Sequence, residues 1–310
     1  MDYKKLLKFV LKLIVSLFFV WWIIFQVNWN EVLVYLKKIT VLEVALYVAL
    51  YLGGMFFSAY KWQFLARLRG VSLPLGEFFK TYFTATFINN FMPSFVGGDS
   101  FKIYHIGKLS NKFKAVTSSV IMDRLTGLIG GMMLVIIFAV LNFRVVLENK
   151  ILLTLSGLTV AGLLGVFLFL GIYRQREFNS PFGKLNLFLN KLIQELGHYN
   201  GEKKHIGKVL GFSFLFNLFG LAGANGVLFW ALDIQIGILN YLSVIFLASV
   251  VSSIPISINN IGVKEWAYIT FFGIFGLGAP AVISVAIISR TIQMLLSFLA
   301  IPIYLKEKKL

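Results

Sequence analysis

The sequence predicts an all-α polytopic membrane protein containing inverted-topology repeats with broken or re-entrant helices. Three observations carry that prediction. The 310 residues are 58% hydrophobic and 14% charged, with a mean hydropathy of +0.84, whereas soluble domains are roughly half apolar and a quarter charged. Several apolar runs reach about 20 residues, the length of helix that crosses a hydrocarbon core of roughly 30 Å. Open sheet is excluded there because lipid offers backbone groups no partner. Finally, two further apolar stretches, 77–108 and 238–278, are interrupted by Gly and Pro and carry an acid after the break.

The chain opens with a basic segment and an apolar run, like a signal peptide, but no small-residue cleavage site follows Phe25. Residues 11–27 are therefore expected to be an uncleaved first span. Lys4, Lys5, Lys8 and Lys12 put the N-terminus in the cytoplasm, and Arg67 with Arg69 return the chain there after a second span at 41–66. The segment 77–108 is followed by Lys108, Lys112 and Lys114, so it is predicted to enter from the cytoplasm and return to it. Residues 115–141 then lead outward and 151–172 lead back to a long basic loop. There Leu185, Phe188, Leu192 and Leu196 recur at helical spacing, suiting either an interfacial helix or a surface helix on the bundle.

A span at 206–232 exits to Asp233. The segment 238–278 then starts and ends outside, as a re-entrant pair or as two short spans. Residues 281–304 return to a basic C-terminus in the cytoplasm. The balance of 29 basic to 13 acidic residues, a net +16, is placed by these loops at the membrane surface. There it orients the protein and attracts anionic headgroups, so nucleic acid is not expected as a partner. There is no Cys, which excludes disulfides, thiolate metal sites and a thiol nucleophile.

The two broken segments correspond. SFVGGDSFKIYHIG at 94–107 and NNIGVKEWAYITFFG at 259–273 each follow a Pro, turn at Gly, and set an acid at the start of an apolar helix. The acids are Asp99 and Glu265, and 265 − 99 = 166. The same offset moves span 41–66 onto 207–232 and Arg124 onto Arg290. Residues 41–142 are thus a first repeat and 206–305 a second. The connecting region 143–205 contains one span, which threads the repeats in opposite directions. Such repeats place broken helices, with their dipole-bearing ends, around a binding site near the bilayer midplane.

Arg124 and Arg290 fall well inside their spans, where an Arg costs about 2.5–3.5 kcal/mol and is expected to face a partner or a wet cavity. Asp99, Asp123 and Glu265 are the acids available. Two readings stay open: the arginines lock helices by ion pairing, or they present forked donors to a phosphate. Lys102 and Lys264 carry the same ambiguity between orienting the protein and holding a ligand. Gly127, Gly130 and Gly131 suit close helix packing. Trp21, Trp22, Trp29, Trp62 and Trp266 suit interface anchors. His105, His198 and His205 lack metal-ligand spacing, and no GxxxxGK[ST] loop is present. No cofactor or metal is expected.

PSFVGGDSFK at 93–102, MDRLTGL at 122–128 and PISINNIGVKE at 255–265 resemble the recurring motifs of the lysylphosphatidylglycerol synthase transmembrane-region family, also described as flippase-like domains. The likeness spans residues from about 8 to 304. In bifunctional members, the multiple peptide resistance factors, such a domain is implicated in moving aminoacylated phospholipid between leaflets while a separate soluble domain attaches the amino acid. The resemblance implies the translocase half. It also implies substrate-binding roles for Gly97, Gly98, Asp99, Lys102, Arg124, Gly262 and Glu265. Many relatives carry Arg where this chain has Lys102 and Lys264, which weakens a bidentate clamp at those positions.

The leading expectation is a lipid translocase of the cytoplasmic membrane, moving an anionic phospholipid or a polyprenyl-phosphate-linked lipid. Its headgroup would sit in a polar cavity between the repeats, beside Arg124 and Arg290. Its partners would be membrane lipids and a separate lipid-modifying enzyme. The alternatives are a membrane-embedded enzyme acting on a lipid phosphate, with Asp99 or Glu265 as general base, and a non-catalytic partner of a lipid-modifying or glycosyl-transferring enzyme.

Overall fold

The computed structural model describes residues 3–91, 96–172, 190, 203–254 and 256–307. All regular structure among them is helical. Helix α1 (Tyr3–Gln26) ends at a sharp bend of 89° into α2 (Trp29–Lys38). The bend is stabilised locally: the Asn28 side chain accepts from the Asn30 amide at the start of α2. Thr40 precedes α3 (Val41–Leu68), and its amide donates to the Glu43 carboxylate at 2.6 Å, as in a capping box.

A helical hairpin follows, α4 (Leu75–Phe91) and α5 (Val96–Ser110), leading into the long α6 (Phe113–Leu141). The hairpin is antiparallel, because Gly98 meets Asn89 at its tip, Lys102 lies over Tyr82, and His105 approaches Glu77. Both its ends lie at one end of the bundle, where Lys112 Nζ donates to the Gly70 carbonyl at 2.7 Å. At 1.5 Å per residue the two arms are each roughly 22–26 Å long, shorter than a hydrocarbon core.

After α7 (Phe143–Glu148) and α8 (Lys150–Ile172), the chain is described again from α9 (Lys203–Leu215). This helix runs through a π-helical stretch (Phe216–Gly223) into α10 (Ala224–Ala231). A second hairpin pairs α11 (Ile238–Ser252) with α12 (Val263–Gly273), and it too is antiparallel, since Tyr241 near one end stacks on Phe272 near the other. Helix α13 (Ala279–Ser297) passes through a 3-10 turn into α14 (Ile301–Glu307).

Among the described residues, five helices are long and apolar enough to cross a membrane: α3, α6, α8, α9 to α10, and α13 to α14. The count becomes six if the bent pair α1–α2 is taken as one span. The five are the spans expected from the sequence at 41–66, 115–141, 151–172, 206–232 and 281–304, and they make this a multi-pass membrane protein, while the expected first span, 11–27, falls on α1 and ends at the bend. The helical pattern around Leu185–Leu196 and both proline breaks, Pro93 and Pro255, lie outside the described residues.

The centre of the bundle is the crossing of α3 with the π-helical stretch. Gly54 and Gly220 sit face to face there, and a Cβ on Gly220 would lie 2.9 Å from the Gly54 Cα. Those positions differ by 166, the offset that relates the two motifs. The main apolar cluster gathers around Tyr47, Leu228, Phe246 and Phe271, and a second one around Trp62, Phe78 and Ile106. Trp62 is fully buried there and donates to Ser119 Oγ at 3.1 Å. The sequence suggests an interface anchor at this position, but the hairpin folds back over this end of α3 and removes Trp62 from lipid.

Candidate functional site

The α4–α5 hairpin, α3, α6, α11 and the π-helical stretch enclose a cavity of about 540 Å³. Three of the candidate residues line it: Asp99, Lys102 and Arg124. The acid stands in the first turn of α5, where a carboxylate favours the positive end of the helix dipole. Arg124 stands in the twelfth position of α6, roughly 16 Å from its start at 1.5 Å per residue. Its Nε donates to Asp99 Oδ2, and the side chain remains 47% exposed. Gly98 packs the hairpin shut beneath them: its amide donates to Asn89 Oδ1 at 2.8 Å, and a Cβ there would lie 2.6 Å from the Ala85 carbonyl oxygen. Gly97 faces a neighbouring apolar groove with Phe87, Phe101, Tyr104 and Tyr304.

The cavity also holds a buried ion cluster in which the sequence offers Lys102 as a ligand candidate and Asp123 as an available acid, but not Lys61. Lys61 Nζ reaches Asp123 Oδ1 at 3.0 Å, and Lys102 Nζ reaches Asp123 Oδ2 at 3.7 Å, with the three side chains 5%, 8% and 5% exposed for Lys61, Lys102 and Asp123. Lys61 further donates to the Asp123 carbonyl at 2.9 Å and to Ser213 Oγ at 3.3 Å. Lys102 lies 3.5 Å from the centre of the Tyr82 ring and 5.2 Å from that of Trp62, within cation–π range of both. Lys61 has one legible signal, a cation inside an otherwise apolar helix. A lysine near a span end is more simply read as snorkelling to the interface, and nothing local reveals that Asp123 lies opposite. Of the three small residues on α6, Gly127 and Gly131 line this cavity. Gly130 packs on α9, where a Cβ would lie 2.7 Å from that of Ser213.

The residues of the second motif form a separate cluster and do not line this cavity. Arg290 Nε donates to Glu265 Oε1 at 3.0 Å, and its terminal nitrogens donate to the carbonyls of Asn259 at 3.2 Å and Asn260 at 3.4 Å. The other Glu265 oxygen accepts from the Gly262 amide at 2.8 Å, closing the start of α12. Gly262 has a φ of +85°, a conformation that favours glycine, and Phe19 of α1 packs against the space a side chain there would need. Ser16 of the same helix accepts from the Ile258 amide at 2.8 Å. Lys264 donates to Ser289 Oγ at 2.8 Å and lies 5.4 Å from the centre of the Tyr268 ring. The structure therefore brings each arginine to its own acid without bringing the two arginines into one cavity. In the second half, the carbonyls of Asn259 and Asn260 take the guanidinium's terminal nitrogens, and α1 packs on the turn that supplies them.

Among the described residues no group of His, Asp and Glu is arranged to hold a metal ion. A helical bundle with several spans and a charged chamber inside it defines a multi-pass membrane protein with an internal polar site. The chain matches the family described as the lysylphosphatidylglycerol synthase TM region over residues 9–301. It belongs to that family and is a membrane protein acting on lipids. No curated protein matches it.

Proposed function

We propose that this protein is a lipid translocase that passes an anionic phospholipid or a polyprenyl-phosphate-linked lipid across the cytoplasmic membrane. The observation that carries the reading is the cavity itself: a guanidinium and two ammonium groups face a space of about 540 Å³ lined by three helices of spanning length, α3, α6 and α9 to α10, together with the shorter arms α4, α5 and α11. Charged groups inside a membrane are expensive, and they are kept where they serve a substrate or an ion. Phosphate is the chemical group that forked and clustered cations match best. In this reading the headgroup enters beside Arg124 and Lys102 while the acyl or prenyl chains stay in lipid. Both hairpins are re-entrant, and both termini are cytoplasmic by their lysines.

An inverted repeat accompanies the proposal. Under a pseudo-twofold axis in the membrane plane, a residue on the axis meets its own equivalent. The Gly54–Gly220 contact, at the offset of the two motifs, supports such an axis. So does the shared plan of a hairpin whose second arm carries an acid, followed by a long helix whose Arg pairs with that acid. The partners are membrane lipids, together with a separate enzyme that modifies them.

Reconstitution into vesicles tests the function. With tail-labelled phosphatidylglycerol as probe, the parent protein is expected to expose inner-leaflet label to an added quencher, and Arg124→Ala to do so about tenfold more slowly or worse. A charge-assisted hydrogen bond of roughly 1.5–3 kcal/mol is lost. If Arg124→Ala moves label as fast as the parent, the site is misassigned. Chemically altered lipid in the mass spectrum would instead favour a membrane-embedded enzyme.

A further inference from the structure

Among the described residues, five charged side chains line the cavity: Lys61, Lys102 and Arg124 against Asp99 and Asp123. The remaining polar lining is neutral, including Ser58, Thr86, Asn89, Asn217, Ser249 and Ser253. One positive charge is therefore in excess, and the contacts say which one it is. Arg124 is matched by Asp99. Lys61 is the closer counter-ion of Asp123, with Oδ1 at 3.0 Å, and two of its donors are taken by the Asp123 carbonyl at 2.9 Å and Ser213 Oγ at 3.3 Å. Lys102 stands farther from Asp123, at 3.7 Å. It lies within cation–π range of two aromatic rings, contacts that leave its hydrogens unused. Lys102 is the ammonium with donors to offer a ligand.

We propose that the cavity selects headgroups carrying one net negative charge, and that Lys61 and Asp123 set this count without touching the ligand. A phosphodiester with a single charge neutralises the excess cation. A zwitterion brings an additional ammonium for which no unmatched carboxylate is present among the described lining residues, and a phosphomonoester near its second ionisation brings more negative charge than those residues balance. Beside the buried side chains of Lys61, Lys102 and Asp123 each such mismatch is costly. Lys61 is thus a positioning residue: by holding Asp123 it leaves Lys102 to the substrate. This inference rests on the translocase reading and specifies the substrate class for the same cavity.

The test uses the full chain in vesicles with three tail-labelled probes at pH 8: phosphatidylglycerol, phosphatidylcholine and phosphatidic acid. The parent is expected to favour phosphatidylglycerol by about tenfold over either competitor. Lys61→Met lets Asp123 claim Lys102, so its phosphatidylcholine to phosphatidylglycerol rate ratio is expected to rise. Asp123→Asn leaves two excess cations, and the phosphatidic acid to phosphatidylglycerol ratio is expected to rise. The double variant Lys61→Met/Asp123→Asn restores an excess of one and with it the parent's order of preference. That restoration does not depend on either single variant folding. A double variant that shifts to the zwitterion, or single variants that keep the parent's order, overturn the charge count while leaving the translocase reading intact. If the parent translocates none of the probes, the translocase reading fails. The charge count is then decided by which headgroup most raises the thermal midpoint of the parent and of the double variant in detergent, the zwitterion raising it as much as phosphatidylglycerol being the result against it.

Discussion

Glu265→Ala is expected to destabilise the protein by about 2–3 kcal/mol, between an exposed ion pair and a fully buried one, because the acid is buried and Arg290 is half-buried. The carboxylate acts in two places at once. One oxygen accepts from the Gly262 amide at 2.8 Å and closes the N-terminus of α12. The other accepts from the Arg290 guanidinium, with a closest approach of 2.9 Å. Arg290 in turn holds the carbonyls of Asn259 and Asn260, residues whose φ values of +47° and +56° lie in the left-handed region. Without the acid, that turn keeps a half-buried cation matched by backbone carbonyls alone. Glu265→Gln retains an acceptor for the Gly262 amide and is expected to lose less than the Ala variant. Thermal unfolding in detergent, followed by tryptophan fluorescence, measures both; an Ala variant within about 1 kcal/mol of the parent would show that the cluster is not a lock. Asp99→Ala makes the contrast. Its partner Arg124 is 47% exposed to the cavity, so the pair resembles an exposed one of about 0–1 kcal/mol, and the loss falls on translocation.

This contrast bears on the two readings that the sequence leaves open for the arginines. Composition and apolar run length are sufficient for the helical class and the spans, because lipid imposes one solution on the backbone. The equal spacing of each Arg from its acid is also legible, and both pairs form. What separates them lies in contacts between elements distant in sequence. Phe19 and Ser16 of α1 lie against the turn at 258–262, and no pattern in the second repeat announces them. Lys61 escapes for the same reason. Its counter-ion lies on another helix, and only packing of α3 on α6 turns an apparent interface lysine into part of a buried cluster. Glycines are more legible as small than as placed: of the three on α6, one packs on a helix and two border the cavity.

Gly54→Leu is expected to be the most damaging single change outside the charged clusters. Any Cβ at position 54 runs into the Gly220 backbone: 2.8 Å to the Gly220 nitrogen, with the Gly220 Cα closer still. The obstacle is main chain in both directions, so no rotamer change relieves it, and the two central helices must separate. Overpacking a filled core costs about 1–3 kcal/mol where side chains can adjust, and more is expected where backbone must move. The adjacent Gly53 has nothing within 4 Å of a built Cβ, which makes Gly53→Leu the matched control, equal in helix propensity and hydrophobic gain. The Gly54→Leu variant is expected to be recovered from membranes in much lower yield and to melt well below both the parent and the control. The smaller Gly220→Ala tests the same contact more gently. If the repeats rock about the crossing, as the translocase reading requires, a methyl group wedged at the pivot lowers the rate of lipid movement more than it lowers the melting temperature. Equal yields and midpoints for the Gly53 and Gly54 variants would mean that α3 and the π-helical stretch do not meet at this pair.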